Sequence, residues 1–265
     1  MITQFEPRFL KQFTELPSNV ERADVFRVLV LKWFGGIYSD VDTEPLRQPA
    51  SWISSSDLTS CVDPITRSDY SFQDPVGAMF GIEADCQPSR DDYWRMGYSY
   101  PIQLTQWTLA SKPGHDVLLR FMDTLSQQLD DVASRNDGSL RSSEAVKELE
   151  HIGPVSLTGP VAVTNATMTL LSEQVGLRWN SLTGLEDGGQ SKLVRDVLIL
   201  PITAFRYVPD EGGMATWVPS PLRTNQHESC IMPKDHGVLS TPQKSLVKVV
   251  ARYWGFAETG DRITQ

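Results

Sequence analysis

No stretch of this 265-residue sequence approaches the ~20 consecutive apolar residues of a membrane-spanning helix. The opening residues, MITQFEPRFLKQFTELP, also lack the apolar centre of a secretory signal. Cysteine is scarce. Cys61, Cys86 and Cys230 lie far apart with no C-x-x-C pair and no Cys/His cluster, so neither a zinc site nor a disulfide framework is signalled. Basic charge is in the minority: 24 Lys and Arg against 33 Asp and Glu give a net charge of −9, which repels phosphate backbones and anionic membrane faces and argues against nucleic acid as a partner. Also missing are G-x-x-x-x-G-K-[ST], G-x-G-x-x-G, G-x-S-x-G and H-E-x-x-H, and with them phosphate-cradling loops, nucleophile elbows and zinc helices. What is there is ordinary globular usage, 40% hydrophobic and 22% charged. No linker or repeat divides the chain, so a single domain over 1–265 is expected.

The pattern predicts a helix from Val20 to Phe34, opened by a capping box at Ser18 and Glu21 and stopped by Gly35-Gly36. Ile37 and Tyr38 read as a short strand delivering Ser39-Asp40-Val41-Asp42 to its carboxyl end, and Pro45 bars further regular pairing. Ser51 to Ser71, rich in Ser, Thr, Asp and Pro, reads as surface loop. Val76 to Ile82 reads as a buried strand with Glu83-Ala84-Asp85 hanging from its end. Pro101 to Ala110 and His115 to Leu129 are expected to be helical, with a short helix at Glu144 to Glu150 and another from Gly159-Pro160 to Gln174, stopped by Gly176. Asp196 to Pro201 is a strong buried-strand signal. This alternation predicts an α/β layered fold with a largely parallel sheet. The one sequon, Asn165-Ala166-Thr167, falls inside a predicted helix.

The candidate chemistry is Asp40-x-Asp42 at a strand end, the place where α/β sheets collect their functional groups. Alternate residues of an extended chain point opposite ways, and Thr43-Glu44-Pro45 suggests a turn that would bring the two carboxylates together. Such a pair can bind a hard divalent cation through oxygen, and that cation would neutralise a diphosphate; a solvated loop pair is the alternative. Another alternative makes Asp40 the nucleophile and Asp42 the acid/base of a haloacid-dehalogenase-type phosphatase. Gly35-Gly36 interrupts the apolar strand such a site requires, and the later G-D-x-x-x-D is absent.

The segment Arg22-Ala23-Asp24-Val25-Phe26-Arg27, the apolar helix behind it and Gly35-Gly36-Ile37-Tyr38-Ser39-Asp40-Val41-Asp42 together resemble the signature of the DXD sugar-transferring families. The match is to the fungal family 32 glycosyltransferases, typified by initiation-specific α-1,6-mannosyltransferases of the Golgi. Further pieces follow in the family's order: Gly81-Ile82-Glu83-Ala84-Asp85, Gln103-Leu104-Thr105-Gln106-Trp107, Gly114-His115, Thr158-Gly159-Pro160 with Thr164, and Asp196 to Pro201. The resemblance implies a GT-A-like layered fold for nucleotide-diphospho-sugars, metal-dependent transfer with retention, a manganese or other divalent cation, and a nucleotide-sugar donor, with GDP-mannose as the family's choice. It implies Asp42 as a direct metal ligand and Asp40 as a metal group acting through water or on the donor ribose. Asp24 and Arg27, one helical turn apart, would face the nucleotide sugar, with Gly36, Tyr38 and Trp254 also at the donor, and Glu83 and Asp85 would meet the acceptor or the transferred sugar. The acceptor class is a glycan, a glycolipid or a small molecule.

Two departures accompany the resemblance. Family members carry, near the carboxyl end, a His-rich segment closing on Gly-Ser-Trp; here Leu246 to Trp254 keeps the tryptophan, and His227 and His236 lie upstream. The resemblance also begins near residue 20, so an amino-terminally shortened domain lacking its first strand segment is expected, with a sheet edge left to be covered. A degenerate member serving as the partner subunit of a glycosyltransferase complex is the alternative that these departures suggest. The resemblance implies the Golgi or secretory lumen, whereas the absence of a signal or anchor in this chain leaves the cytoplasm open.

Overall fold

The computed structural model describes residues 2–41, 43–45, 48–58, 60–63, 65–70, 75–85, 93, 98, 100–183, 190–202, 204, 215–216 and 249–250. Two short helices, α1 (Ile2–Phe5) and α2 (Leu10–Glu15), lead into α3 (Asn19–Phe34). The capping box forms as read: Val20 donates its N–H to Ser18 Oγ, and Ser18 donates its own to Glu21 Oε2, each at 3.1 Å. Gly35 closes α3 at φ 63°, ψ −164°, and Gly36 follows at φ 96°. A Cβ on Gly35 would come within 2.5 Å of Pro113 Cδ as well as entering a region that is nearly glycine's own. Gly35→Ala is therefore expected to cost about 3 kcal/mol of stability. Urea unfolding followed by circular dichroism measures it, and an unchanged midpoint would remove the strain argument.

The strands are β1 (Gly36–Ser39), β2 (Thr43–Glu44), β3 (Ala78–Asp85), β4 (Ile102–Ser111), β5 (Lys192–Val194), β6 (Val197–Leu200), β7 (Ala215–Thr216) and β8 (Val249–Val250). Six of them form one sheet in the order β5-β6-β3-β4-β1-β8, and β2 pairs with β7 in a second, two-stranded sheet. The remaining helices are α4 (Asp116–Arg135), α5 (Ser143–Ile152), α6 (Pro154–Leu157) and α7 (Pro160–Val175), the last opened by Pro160 and stopped by Gly176 in the left-handed conformation.

Two expectations are corrected, and one causes the other. Pro101 to Ala110 was expected to be helical, but Ile102–Ser111 is a central strand. Nine of its ten residues are buried, so no alternation of polar and apolar residues marks it as a strand. Because β4 lies antiparallel between β3 and β1, the sheet is mixed: only β3 and β6 adjoin in parallel. The directions that matter survive, since β1 and β3 are each antiparallel to β4 and β3 is parallel to β6. All three therefore point their carboxyl ends to the same side.

Packing follows the strand alternation. Phe80 and Ile82 on β3, Leu109 on β4 and Val197 and Ile199 on β6 join the main core with Val25, Val28 and Leu29 of α3, Leu118, Phe121 and Leu125 of α4, and Leu171 of α7. Met79, Ala110, Leu198 and Leu200 point to the other face, where Trp52 and Ile53 pack on them. The edge of β1 is covered by β8, pairing Ile37 with Val250 and Tyr38 with Val249. The stretch from Ser51 to Ser71 is not all surface. Cys61 and Asp63 have no exposure, and Tyr70 is buried. Among the described residues no helix is long and apolar enough to cross a membrane.

Candidate active site at the carboxyl end of strand β1

The sequence of α3 places Asp24 and Arg27 three residues apart on the side that meets the sheet, and burial then forces them together. Arg27 Nη2 lies 3.1 Å from Asp24 Oδ1 and 3.6 Å from Asp40 Oδ1, while Nη1 donates to the backbone carbonyl of Gln106 at 3.1 Å. The guanidinium stands 5.3 Å from the centre of the Tyr38 ring. The Tyr38 hydroxyl donates to Asp40 Oδ1 at 2.7 Å. On the other oxygen of Asp24, Thr158 Oγ1 donates at 3.0 Å. Four of the sequence-designated residues, Asp24, Arg27, Tyr38 and Asp40, are thus one contiguous cluster.

The electrostatics follow from burial. Asp24 is 6% exposed, and desolvation pushes its pKa up to about 6 even though Arg27 and the Thr158 hydroxyl oppose the shift and Asp40 adds to it. Tyr38 is pushed well above the usual phenol range, first by burial, so its hydroxyl remains a donor throughout the working pH range.

Beyond β1 the backbone reverses. Asp40 donates its N–H to the Trp107 carbonyl at 2.9 Å, and its own carbonyl accepts from Thr43 N at 3.1 Å and Thr43 Oγ1 at 2.6 Å. Ser39 Oγ joins Thr43 Oγ1 and, at 2.9 Å, Thr108 Oγ1. The turn expected from Thr43-Glu44-Pro45 is thus closed by hydrogen bonds between Asp40 and Thr43.

The other sequence-designated residues divide. Glu83 and Asp85 lie within β3, which continues to Asp85, rather than hanging from its end. Half-buried Glu83 accepts from Gln103 Nε2 at 3.3 Å, and Asp85 is 5% exposed. With β4 between β3 and β1, they stand two strands to the side of Asp40 at the same end of the sheet, across an irregular stretch of the β3–β4 register. Gly36 opens β1 opposite Ser111, at the end away from Asp40, where it serves the helix-to-strand junction. Asp42, Trp254, His227 and His236 lie outside the described residues, as do Cys86 and Cys230.

Two buried residues that sequence reasoning had not given a role complete the cluster. Gln106, 2% exposed, donates from Nε2 to the Thr158 carbonyl at 2.6 Å, and Thr158 is fully buried beside Asp24. The signal available in the sequence was polar residues inside an otherwise apolar run, since Gln103, Thr105, Gln106 and Thr108 are all buried on β4.

Several other buried titratable groups among the described residues serve the packing instead. At the opposite end of the sheet, Asp196 accepts from Lys112 Nζ at 2.8 Å and lies 3.3 Å from His115 Nε2, and these neighbours hold its carboxyl well below the usual range against its burial. His115 Nδ1 is occupied by the Val117 N–H at 3.1 Å, capping α4. Burial pushes the Cys61 thiol up to about 11, so it is no thiolate nucleophile. The sequon's Asn165 sits on α7 with Oδ1 accepting from the Tyr100 hydroxyl at 2.8 Å, and Thr167 is fully buried, so the triplet is part of the packing. Among the described residues, no three His, Cys, Asp or Glu side chains converge as a metal-holding group.

Residues 1–59 match the family described as a glycosyltransferase sugar-binding region containing a DXD motif. Over most of its length the chain is similar, more particularly, to initiation-specific α-1,6-mannosyltransferases. With that of Schizosaccharomyces pombe it shares 35% identity over 217 residues, 81% of this chain and 47% of the relative. With that of Candida albicans it shares 30% over 222 residues, 78% of this chain and 52% of the relative. With that of Saccharomyces cerevisiae it shares 38% over 125 residues, 42% of this chain and 25% of the relative. The chain spans about half the length of the first two of these relatives. No solved structure matches it. The chain therefore resembles the DXD-containing glycosyltransferases whose motifs its sequence carries, and the phosphatase and subunit alternatives are not favoured.

Proposed function

We propose that this protein is a metal-dependent, configuration-retaining hexosyltransferase that moves mannose from GDP-mannose to a hydroxyl of a glycan, a glycolipid or a small-molecule acceptor. The fold reading that goes with it is a single GT-A-like domain over residues 1–265, working in the Golgi or secretory lumen. The observation that carries the proposal is the Asp24, Arg27, Tyr38 and Asp40 cluster at the carboxyl end of β1, in a chain similar to DXD glycosyltransferases. The relatives' printed names supply the sugar.

The side chains present fit a hard cation. Asp40 and Asp42 offer carboxylate oxygen, which suits manganese or magnesium better than a soft-ligand metal. Asp40 Oδ1 already serves Tyr38 and Arg27, which supports an indirect role for Asp40, through water or on the donor ribose, and leaves direct ligation to Asp42. Bound there, the cation would supply positive charge against the leaving diphosphate. Asp24 and Arg27 would receive the hydroxyls of the transferred sugar, Trp254 would contact the donor, and Glu83 and Asp85 would face the acceptor side. In the transfer, the C1–oxygen bond to the diphosphate breaks and a C1–oxygen bond to the acceptor forms on the same face, while the acceptor proton passes to the departing phosphate. No protein base is needed for that balance, so orientation and preorganised charge are what the chain contributes.

The test is a ligand-dependent melting shift. A ligand that binds only the folded state at a hundredfold excess over its Kd adds about 2.7 kcal/mol, so GDP with manganese is expected to raise Tm measurably. A shift with UDP and none with GDP would change the donor. No shift with either would turn the reading to a non-catalytic subunit.

A further inference from the structure

We propose that Thr158 and Gln106 are positioning residues for sugar transfer, closing a ring of hydrogen bonds that fixes the Asp24–Arg27 pair in the geometry the donor requires. The inference rests on the glycosyltransferase reading and goes beyond it, since neither residue was assigned a role by the motif. The ring can be followed atom by atom. Arg27 Nη1 donates to the Gln106 carbonyl at 3.1 Å, and Gln106 Nε2 donates to the Thr158 carbonyl at 2.6 Å. Thr158 Oγ1 donates to Asp24 Oδ2 at 3.0 Å, and Asp24 Oδ1 returns to Arg27 Nη2 at 3.1 Å. It joins α3, β4 and the segment between α6 and α7, three pieces distant in sequence.

Burial makes the ring a positioning device rather than ordinary surface polarity. Gln106 is 2% exposed, Thr158 fully buried and Asp24 6% exposed, so none of the partners can be replaced by bulk water. Two buried polar atoms, Arg27 Nε and Gln106 Oε1, have no hydrogen-bond partner among the described residues.

The groups facing Asp24 are Arg27 and Glu21 on its own helix, Thr158 between α6 and α7, Tyr38 on β1 and Asp40 just beyond it. Of these, the Thr158 hydroxyl specifically favours the ionised carboxylate. Its removal should therefore raise the pH at which Asp24 takes up a proton and lets go of Arg27.

The experiment compares the full chain with its Thr158→Val and Thr158→Ser variants in manganese-dependent hydrolysis of GDP-mannose between pH 5 and 8. The wild type is expected to lose kcat/KM below about pH 6, following Asp24. Thr158→Val should move that limb upward by about one pH unit, a tenfold change in proton affinity, and recover most of its activity at pH 8. Thr158→Ser, which keeps the hydroxyl, should restore the wild-type limb. An unmoved limb, or an equal loss at every pH together with a lowered Tm, would overturn the positioning role. A second readout separates this from failure of the glycosyltransferase reading: the carboxyl carbon-13 resonance of Asp24, titrated with no substrate present. A higher midpoint in Thr158→Val supports the ring even if no sugar is hydrolysed, and an unchanged midpoint refutes it.

Discussion

Asp42→Ala is expected to lower manganese-dependent donor hydrolysis by about a thousandfold, on the scale of removing a preorganised group that meets charge developing in the transition state, while leaving the melting temperature of the ligand-free protein where it was. The reasoning starts from the turn. The backbone and side chain of Thr43 both donate to the Asp40 carbonyl, which ends β1 just where the carboxylate pair is needed. Asp40 has internal work to do, since its Oδ1 accepts from Tyr38 and lies near Arg27. If Asp42 is the direct ligand and Asp40 the indirect one, Asp40→Ala should cost less, about ten- to a hundredfold, the usual scale for residues that orient a metal's ligands. Asp40→Ala should also free the Tyr38 hydroxyl and leave Arg27 with Asp24 as its one acidic partner in the cluster, so a loss of stability is expected there. Hydrolysis within tenfold of wild type in Asp42→Ala would overturn the assignment, and a stability loss in Asp42→Ala with none in Asp40→Ala would invert the two roles.

The sequence could be read wherever local chemistry alone decides the outcome. Ser18 and Glu21 announce the start of α3, and Gly35 and Gly176 announce the ends of α3 and α7 because few other residues accept their backbone angles. Asp40 could be placed at a strand end because a glycine stop, two strand residues and a proline leave little else for the segment to do. The misreading of β4 has the opposite cause. Ile102 to Ser111 is enclosed on both faces, so its pattern carries no period, and only its partners β1 and β3 make it a strand. Asp63 was hidden in a similar way. Its neighbours look like a surface loop, yet its carboxylate is buried and accepts from the N–H groups of Ile65 and Thr66 and from the hydroxyls of Tyr70 and Ser181, which hold it well below the usual carboxylate range. In the candidate site, Asp24, Arg27, Tyr38 and Asp40 lie within one segment and could be named from it. Gln106 and Thr158 could not, because what gives them a role is contact across 79 and 134 positions of sequence with Arg27 and Asp24.

Asp24→Asn is expected to cost activity about a hundredfold and at the same time to flatten the pH dependence of stability between about pH 4 and 6. The sign follows from burial. The ordinary value for this carboxyl is 3.8, and desolvation raises it to about 6 in the folded protein. Between those values the folded state holds a proton that the unfolded state has lost, so stability is full below the lower value and declines as pH rises through the upper one. A rise from 3.8 to about 6 corresponds to about 3 kcal/mol, so wild-type stability at pH 7 should be lower by that order than the other groups alone would give. Asparagine keeps the shape, but its single carbonyl oxygen can accept from only one of Thr158 and Arg27, which now meet different oxygens of Asp24, and it has no proton to exchange, so that slope should disappear. The loss of activity has the same origin: without the carboxylate charge, Arg27 keeps the weaker contact to Asp40 at 3.6 Å and the Gln106 carbonyl, and its guanidinium is free to follow Asp40. Urea unfolding at pH 4, 5, 6 and 7 reads the slope directly. A variant that keeps the wild-type slope would show that Asp24 is ionised at ordinary acidity in the folded protein, and the strained carboxylate at the heart of the cluster would have to be abandoned. A variant without the slope but with full hydrolysis would separate the buried charge from catalysis and leave Arg27 held by Asp40 and Gln106 alone.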